Sequence, residues 1–426
     1  MTPEELVEQR WFRSKQRPIA TVAEIDRAPL PAARAALSVL EVAYRDGGEA
    51  DRYLLPLAAD REPRDGDGAW RAIARAMEAG AVLEGDRGRF VASSTAAMDE
   101  LLGGPLDRLT ERRLGVEQSN TSVVLGDRLI LKLYRLLEAG ESPDLEVSAF
   151  LTDAGFTDTP AVAGSLLHES EGRTAAAAML QAFVPSTGDA WSAMLAALAD
   201  DPGRASAMAS AVGGLTARMH QALGSRPDDP SFPSRPATPE ETAAWRASGE
   251  RQLAQAVTAV SGEAHGRLTA VAPRITARFA DTFGSTGGEA RVSRIHGDYH
   301  LGQLLARHDG GFSVIDFEGE PARPLAERRQ PSSPLRDVAG LLRSLDYAAR
   351  SAEAGPHAEG FDADRWLAEA RAAFIDGYGG IGADQQDLLD ALELEKACYE
   401  VRYEASNRPA WLWLPLAAVE RLAGGA

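Results

Sequence analysis

The run from Arg294 to Glu318, Arg-Ile-His-Gly-Asp-Tyr-His-Leu-Gly-Gln-Leu-Leu-Ala-Arg-His-Asp-Gly-Gly-Phe-Ser-Val-Ile-Asp-Phe-Glu, constrains this chain more than any other part of it. Its second half reads as a β-hairpin, because two apolar segments flank the turn residues His308-Asp309-Gly310-Gly311. If those four residues form the loop, Arg307 faces Phe312 and Gln303 faces Asp316. Directly opposed residues bring their β-carbons to about 5 Å, close enough to share one ion. Magnesium takes oxygen ligands, one or two of them from side chains. The Gln303 amide oxygen and the Asp316 carboxylate are therefore candidate metal ligands. The alternative is a polar pair on an exposed hairpin face, but Asp316 stands between apolar neighbours, where an unpaired charge is costly.

Asp298 precedes Gln303 by five residues, in a turn that Gly297 loosens. Phosphoryl transfer asks the protein for positioning, charge neutralisation and an acceptor for the hydroxyl proton. Asp298 is placed for the last role, the alternative being an Asx-turn or a helix cap. His296 reads as a brace for the loop backbone, and His300 as a substrate contact. The same residues also space as H-x-D-x-H, a pattern with which a metal-dependent hydrolase can hold zinc. Gly297 and the lack of a further nearby histidine pair weaken that reading.

The 45 basic residues include only three lysines, Lys15, Lys132 and Lys396. Lys132 falls in the apolar segment Leu129-Ile130-Leu131-Lys132-Leu133-Tyr134, which forms a hairpin with Thr121 to Leu125 across a Gly126-Asp127 turn. A helix opening at Pro143 carries Glu146, so the Lys132–Glu146 pair matches a phosphate-holding ammonium fixed by a carboxylate. The loop before it, Gln118 to Ser122, puts Ser119, Asn120 and Thr121 beside the phosphates, although it lacks the glycines that usually let amides close on them. Lys132 as a surface residue is the plainer alternative.

At 426 residues the chain exceeds one ordinary domain, and a cleft between lobes is expected. The formal charge of −18 disfavours nucleic acid and anionic membranes as partners. A single cysteine, Cys398, excludes an internal disulfide, and the N-terminus lacks a signal-peptide profile, so a cytoplasmic protein is expected, as a monomer or weak homo-oligomer. The expected divisions are a small mixed domain at 1–100, a second unit at 101–185, and an alanine- and leucine-rich helical lobe at 186–426. Surface loops are expected at Arg226 to Pro239 and Gly284 to Gly288.

Taken together, Lys132 and Glu146, the short apolar connector Gln181 to Val184, H-G-D-Y-H-L-G-Q and I-D-F-E-G-E-P resemble the aminoglycoside-phosphotransferase-like branch of the protein-kinase fold, over roughly residues 115 to 345. The catalytic loop of that branch usually ends in asparagine. Gln303 at that position is similar to a narrower group, the actinobacterial maltokinases, which also includes glucosamine kinases. Gln9-Arg10-Trp11-Phe12, the run Glu327 to Gly340, Tyr399-Glu400 with Tyr403-Glu404, and Arg408-Pro409-Ala410-Trp411 resemble the same group. The resemblance implies an α+β, bilobal protein-kinase-like fold with an extra N-terminal cap subdomain and a mostly helical C-terminal lobe. It implies ATP and Mg2+ as cofactors and a small-molecule sugar as acceptor. Lys132 and Glu146 would hold the nucleotide phosphates, Gln181, Phe183 and Val184 would line the adenine, and Asp337 would brace the catalytic loop.

The acceptor pocket is expected beside Asp298, walled by the C-terminal helices. Glu400 and Glu404 share a helical face at one-turn spacing, so they can hold a cationic amine while Trp411 stacks on a sugar ring, with Tyr399 alongside. A solvated acidic helix balanced by Lys396 and Arg402 is the alternative. The carboxylates favour glucosamine, phosphorylated on its 6-hydroxyl, over maltose phosphorylated on its anomeric hydroxyl. A catalytically inactive kinase-fold module is the non-enzyme alternative, and the presence of Lys132, Asp298 and Asp316 argues against it.

Overall fold

A computed structural model describes residues 1–31, 33–59, 61–115, 119–285, 290–321, 323–355 and 360–424. Gln118 and residues 286–288, which figure in the expected loops, lie outside the described residues. The chain forms two compact units, Met1–Pro185 and Ser186–Ala426.

The first unit starts with an antiparallel sheet of Ile19–Leu30, Ala35–Tyr44 and Asp51–Ala58, in that order. Its central strand is apolar at successive positions because both of its faces are covered. Leu37 and Val39 point into a core with Trp70, Ile73 and Phe90, whereas Leu40, Val42 and Tyr44 point into another with Trp11, Phe12 and Tyr53. Trp11 and Phe12, from the Gln9-Arg10-Trp11-Phe12 motif, pack on the Tyr53 ring at 5.7 and 5.2 Å.

A seven-stranded antiparallel sheet follows, ordered Val82–Glu84, Gly88–Ser94, Val162–Ser170, Arg173–Ala182, Leu129–Tyr134, Asn120–Leu125 and Glu111–Arg113. Two of these strands come from within the first hundred residues. The sheets are joined by a bridge between Tyr53 and Leu136 and by a buried contact of 2.9 Å between His168 Nε2 and the Asp26 carboxylate. The Asn120–Tyr134 hairpin turns at Gly126 and Asp127, both left-handed (φ 59° and 51°), the geometry that suits a tight turn between twisted strands. The helix Pro143–Asp153 begins with proline at its first turn and carries Asp144 and Glu146 at its positive end.

The second unit is mostly helical, with a small sheet ordered Ser186–Asp189, Leu304–Arg307 and Phe312–Val314. Its hairpin differs from expectation by one residue. Leu304 pairs with Val314 and Ala306 with Phe312, so Arg307 does not face Phe312. Gly310 takes a left-handed φ of 84°, and Arg307 N–H bonds to the Gly311 carbonyl at 2.9 Å, which closes a shorter turn than the one expected. Gln303 consequently lies across from Ile315, whose N–H bonds to the Gln303 carbonyl at 3.0 Å.

Helix Leu335–Glu353 passes behind the catalytic loop at close range. A β-carbon on Gly340 would lie 2.6 Å from the Tyr299 carbonyl oxygen, so that crossing requires glycine.

Candidate active site

In the first unit, the strand Leu129–Tyr134 presents Lys132, whose Nζ donates to Asp144 Oδ2 at 2.7 Å. Tyr134 OH donates to the same oxygen at 2.8 Å. Asp144 is two residues before Glu146 in the same first turn, and its carboxylate in this ion pair is one that spacing alone did not single out. Ser119 and Asn120 are half-buried where the strand begins. Thr121 is fully buried, and its hydroxyl accepts from Arg135 Nε at 2.7 Å. Arg135 also reaches Glu62 at 2.6 Å and lies over the Trp11 ring, so the Thr121 side chain belongs to the packing of the N-terminal region rather than to a phosphate loop. Gln181 pairs with Ile130, and the Phe183 N–H bonds to the Arg128 carbonyl at 2.8 Å. Gln181, Phe183 and Val184 are all half-buried, and so keep accessible surface at the end of the strand.

In the second unit, the catalytic loop is held from behind. The Asp337 carboxylate accepts from the backbone N–H groups of His296 and Gly297 at 2.8 and 2.9 Å and contacts His220 Nε2 at 3.1 Å. Burial alone would raise the Asp337 pKa, but the His220 contact and the Gly297 amide outweigh it and hold the carboxyl below its ordinary range. Gly297 adopts φ 85°, the left-handed turn that exposes Asp298.

The His296 ring is 1% exposed, wedged between Tyr299 and Phe317. Its Nε2 meets the Ile315 carbonyl at 3.0 Å, and its Nδ1 accepts from the Asp298 N–H at 3.4 Å, which assigns a neutral ring with the proton on Nε2. His300 Nδ1 accepts from the Gly302 N–H at 3.0 Å, and burial holds its imidazole below the ordinary pKa. Both His296 nitrogens are thus engaged by the backbone. Among the described residues, no cluster of metal-ligating groups includes His296, Asp298 and His300, so the zinc triplet does not form.

Gln303 and Asp316 meet despite the shifted register. Asp316 leaves the strand in a left-handed conformation, φ 70°, and its Oδ2 accepts from Gln303 Nε2 at 3.2 Å. The pair fits an oxygen-liganded cation in donor chemistry, with Asp316 supplying charge and Gln303 supplying oxygen once its amide is turned over.

Around Asp298, Gly297, Glu320, Arg323, Arg336, Glu395, Lys396 and Tyr399 line a pocket. Lys396 Nζ donates to Asp298 Oδ1 at 3.0 Å and to Glu320 at 2.9 Å, and sits 4.6 Å from the centre of the Tyr399 ring. Burial opposes its charge, but the two carboxylates hold its pKa above the ordinary lysine value. Their effect on Glu320 is reciprocal: against burial, Lys396 and Arg323 bring it down to about 2. Glu395 is buried and accepts from Ser248 at 2.7 Å and pairs with Arg336 at 3.0 Å.

Glu400 and Glu404 do share one face of helix Ala383–Asn407, but each is engaged inside the helical packing. Arg343 binds Glu400 at 2.8 Å, and Tyr347 OH and Arg408 Nε reach Glu404 at 3.1 and 2.9 Å. Residues 343 and 347 are themselves one turn apart, so two helices match donors to acceptors along their contact. Both carboxylates expected to meet the amine thus have protein partners as well. Trp411 is half-buried with the Arg408 guanidinium 5.7 Å from its ring centre. Lys396 and Glu320 in the pocket of the second unit, and Asp144 beside Lys132 in the first, were not expected. The scarcity of lysine was the available signal for Lys396, and the Glu-Gly-Glu-Pro run for Glu320.

A loop aspartate facing a pocket, braced from a helix and followed by a paired amide and carboxylate, defines a phosphotransferase site on a kinase-like fold. Residues 110–379 match the phosphotransferase enzyme family, and residues 6–85 match the maltokinase N-terminal cap domain. The chain belongs to that phosphotransferase family. It is 32% identical to a glucosamine kinase of Streptacidiphilus jiangxiensis, covering 86% of this chain and 85% of that one. A glucosamine kinase of Mycolicibacterium smegmatis is 28% identical over 90% of this chain and 98% of that one. A solved glucosamine kinase in complex with glucosamine, ADP and inorganic phosphate aligns with a TM-score of 0.74 and 26% identity, over 98% of this chain and 99% of that chain.

Proposed function

We propose that this protein transfers the γ-phosphate of ATP to the 6-hydroxyl of glucosamine, with Mg2+ as cofactor and Asp298 as the base. The observation that carries this reading is the Asp298 carboxylate, presented by a braced loop into a pocket. In the reaction the acceptor oxygen forms a bond to the γ-phosphorus, the bond to the ADP oxygen breaks, and the hydroxyl proton passes to Asp298. Gln303 and Asp316 would hold the metal, which neutralises phosphate charge when bound. Lys132, steadied by Asp144, supplies a further cation for the nucleotide phosphates.

Lys396 beside Asp298 supports the choice of hydroxyl. An ammonium next to the reacting oxygen would be repelled by Lys396, and on glucosamine the 6-hydroxyl lies across the ring from the 2-amino group. The sequence relationship to glucosamine kinases supports the same acceptor. Because an ATP-dependent kinase works where ATP is held, we read the protein as cytoplasmic. No helix among the described residues is long and apolar enough to cross a membrane.

The maltokinase-type cap match favours a second reading, transfer to the anomeric hydroxyl of maltose. Both readings are tested by incubating glucosamine, glucose, N-acetylglucosamine and maltose with ATP and Mg2+, following ADP release and locating the phosphate by 31P NMR. Glucosamine 6-phosphate as the dominant product is expected. Maltose 1-phosphate as the dominant product would replace the first reading with the second.

A further inference from the structure

Lys396 and Asp298 stand 98 residues apart in sequence and come together in the acceptor pocket. Lys396 is itself fixed. Its Nζ donates to Glu320, which is 7% exposed and is gripped a second time by Arg323 Nε at 2.6 Å, so the ammonium cannot move without breaking a buried pair. The Asp298 carboxylate, in contrast, has 20% of its side chain exposed. Its Oδ1 accepts from Lys396, and among the described residues no donor contacts Oδ2. One oxygen is anchored and the other is open to the pocket. The other charged or titratable groups around Lys396 are Tyr399, Glu395 and Glu400 on its own helix, His300 from the catalytic loop, and Arg323 and Arg336, which line the same pocket.

We infer that Lys396 is a positioning residue for phosphoryl transfer: anchored by Glu320, it holds Asp298 through Oδ1 and leaves Oδ2 to take the acceptor proton. This rests on the reading of Asp298 as the base. A carboxylate swinging about its Cβ–Cγ bond samples many orientations, and fixing one oxygen removes most of them before substrate arrives. Glu320, on the far side of the ammonium, fixes the point from which Lys396 reaches Asp298.

The test is kcat and KM, for glucosamine and for ATP, in Lys396→Met, Lys396→Arg and Glu320→Gln, with Asp298→Asn alongside. Lys396→Met is expected to lower kcat at least tenfold, with the KM for ATP little changed. Lys396→Arg keeps a charged donor for Oδ1 and should recover most of that kcat. Glu320→Gln loosens the anchor but leaves the donor, and should lower kcat by a smaller factor than Lys396→Met with the same unchanged KM for ATP. A loss confined to kcat and rescued by arginine is a signature that simple loss of packing does not produce. An unchanged kcat in Lys396→Met, or a loss that arginine does not rescue and that weakens ATP equally, overturns the inference. If Lys396→Met does not fold, Glu320→Gln decides: a lowered kcat at unchanged KM for ATP supports the inference, and an unchanged kcat overturns it. Loss of activity in Asp298→Asn without any Lys396 effect would leave the base reading standing and remove only the role of Lys396. Full activity in Asp298→Asn would remove the base reading itself.

Discussion

Asp316 combines two properties that are rarely found in one residue: it carries a charge, and it holds a left-handed backbone at φ 70°. Aspartate and asparagine are the non-glycine residues that tolerate this conformation best, because their short polar side chains bond locally. Asp316→Asn should therefore keep the turn and the fold while removing the charge proposed to bind magnesium. The expected result is activity below about one hundredth of the parent, with a melting temperature within roughly 3 °C of it. Activity close to that of the parent would remove Asp316 from the metal site. His296 illustrates the opposite case. Its neighbours in the motif suggest chemistry, yet both ring nitrogens are used by the backbone, and its work is to shape the loop that carries Asp298.

Between elements, the contact that matters most for the site is the crossing of helix Leu335–Glu353 behind the catalytic loop. Asp337 reaches forward to two backbone amides, and three residues later Gly340 lets the helix come within contact of the Tyr299 carbonyl. Gly340→Ala is helix-favourable by intrinsic propensity, but its β-carbon would meet a backbone atom that cannot rotate away. Overpacking of this kind costs about 1–3 kcal/mol and here would push the loop forward. The variant should melt several degrees lower and lose kcat at least tenfold, while binding ATP nearly as tightly as the parent by calorimetry. An unchanged kcat would show that the loop is not positioned from this helix. The neighbouring contact of Arg343 and Tyr347 with Glu400 and Glu404 has a different purpose: it satisfies carboxylates that helix packing has buried.

At the scale of the whole molecule, each compact unit has its own chemistry. The first supplies a lysine, paired with a carboxylate, on an interior strand of a seven-stranded sheet. The second supplies the proposed base Asp298 in its pocket and the paired amide and carboxylate of Gln303 and Asp316. The proposed transfer calls for a hard, oxygen-liganded cation, not one held by imidazoles. Enzyme stripped with a chelator should recover its activity when magnesium is restored and should not recover with zinc alone, as followed by ADP release. Recovery with zinc and failure with magnesium would return the hydrolase reading.

Sequence was sufficient for whatever is encoded within a short stretch of chain. The hairpin around Gly126-Asp127, the helix opening at Pro143, the loop that exposes Asp298 and the family resemblance all follow from local spacing, turn chemistry and contiguous motif. The register of the second hairpin was missed by one residue, because a single left-handed glycine decides how many residues a turn consumes. Other features depend on which distant side chain arrives at a given place. Spacing singled out Glu146 for Lys132, whereas the contact of Asp144 with that ammonium comes from the same helical turn without a spacing signal; one-turn periodicity put Glu400 and Glu404 on one face, whereas their partners Arg343, Tyr347 and Arg408 come from elsewhere in the chain or its fold. Lys396 reads in sequence as the counter-charge of an acidic helix. Only the packing of that helix against the catalytic loop sets its ammonium on Asp298, because burial of the apolar face fixes the rotation of a helix and leaves its remaining side chains to meet whatever that rotation presents.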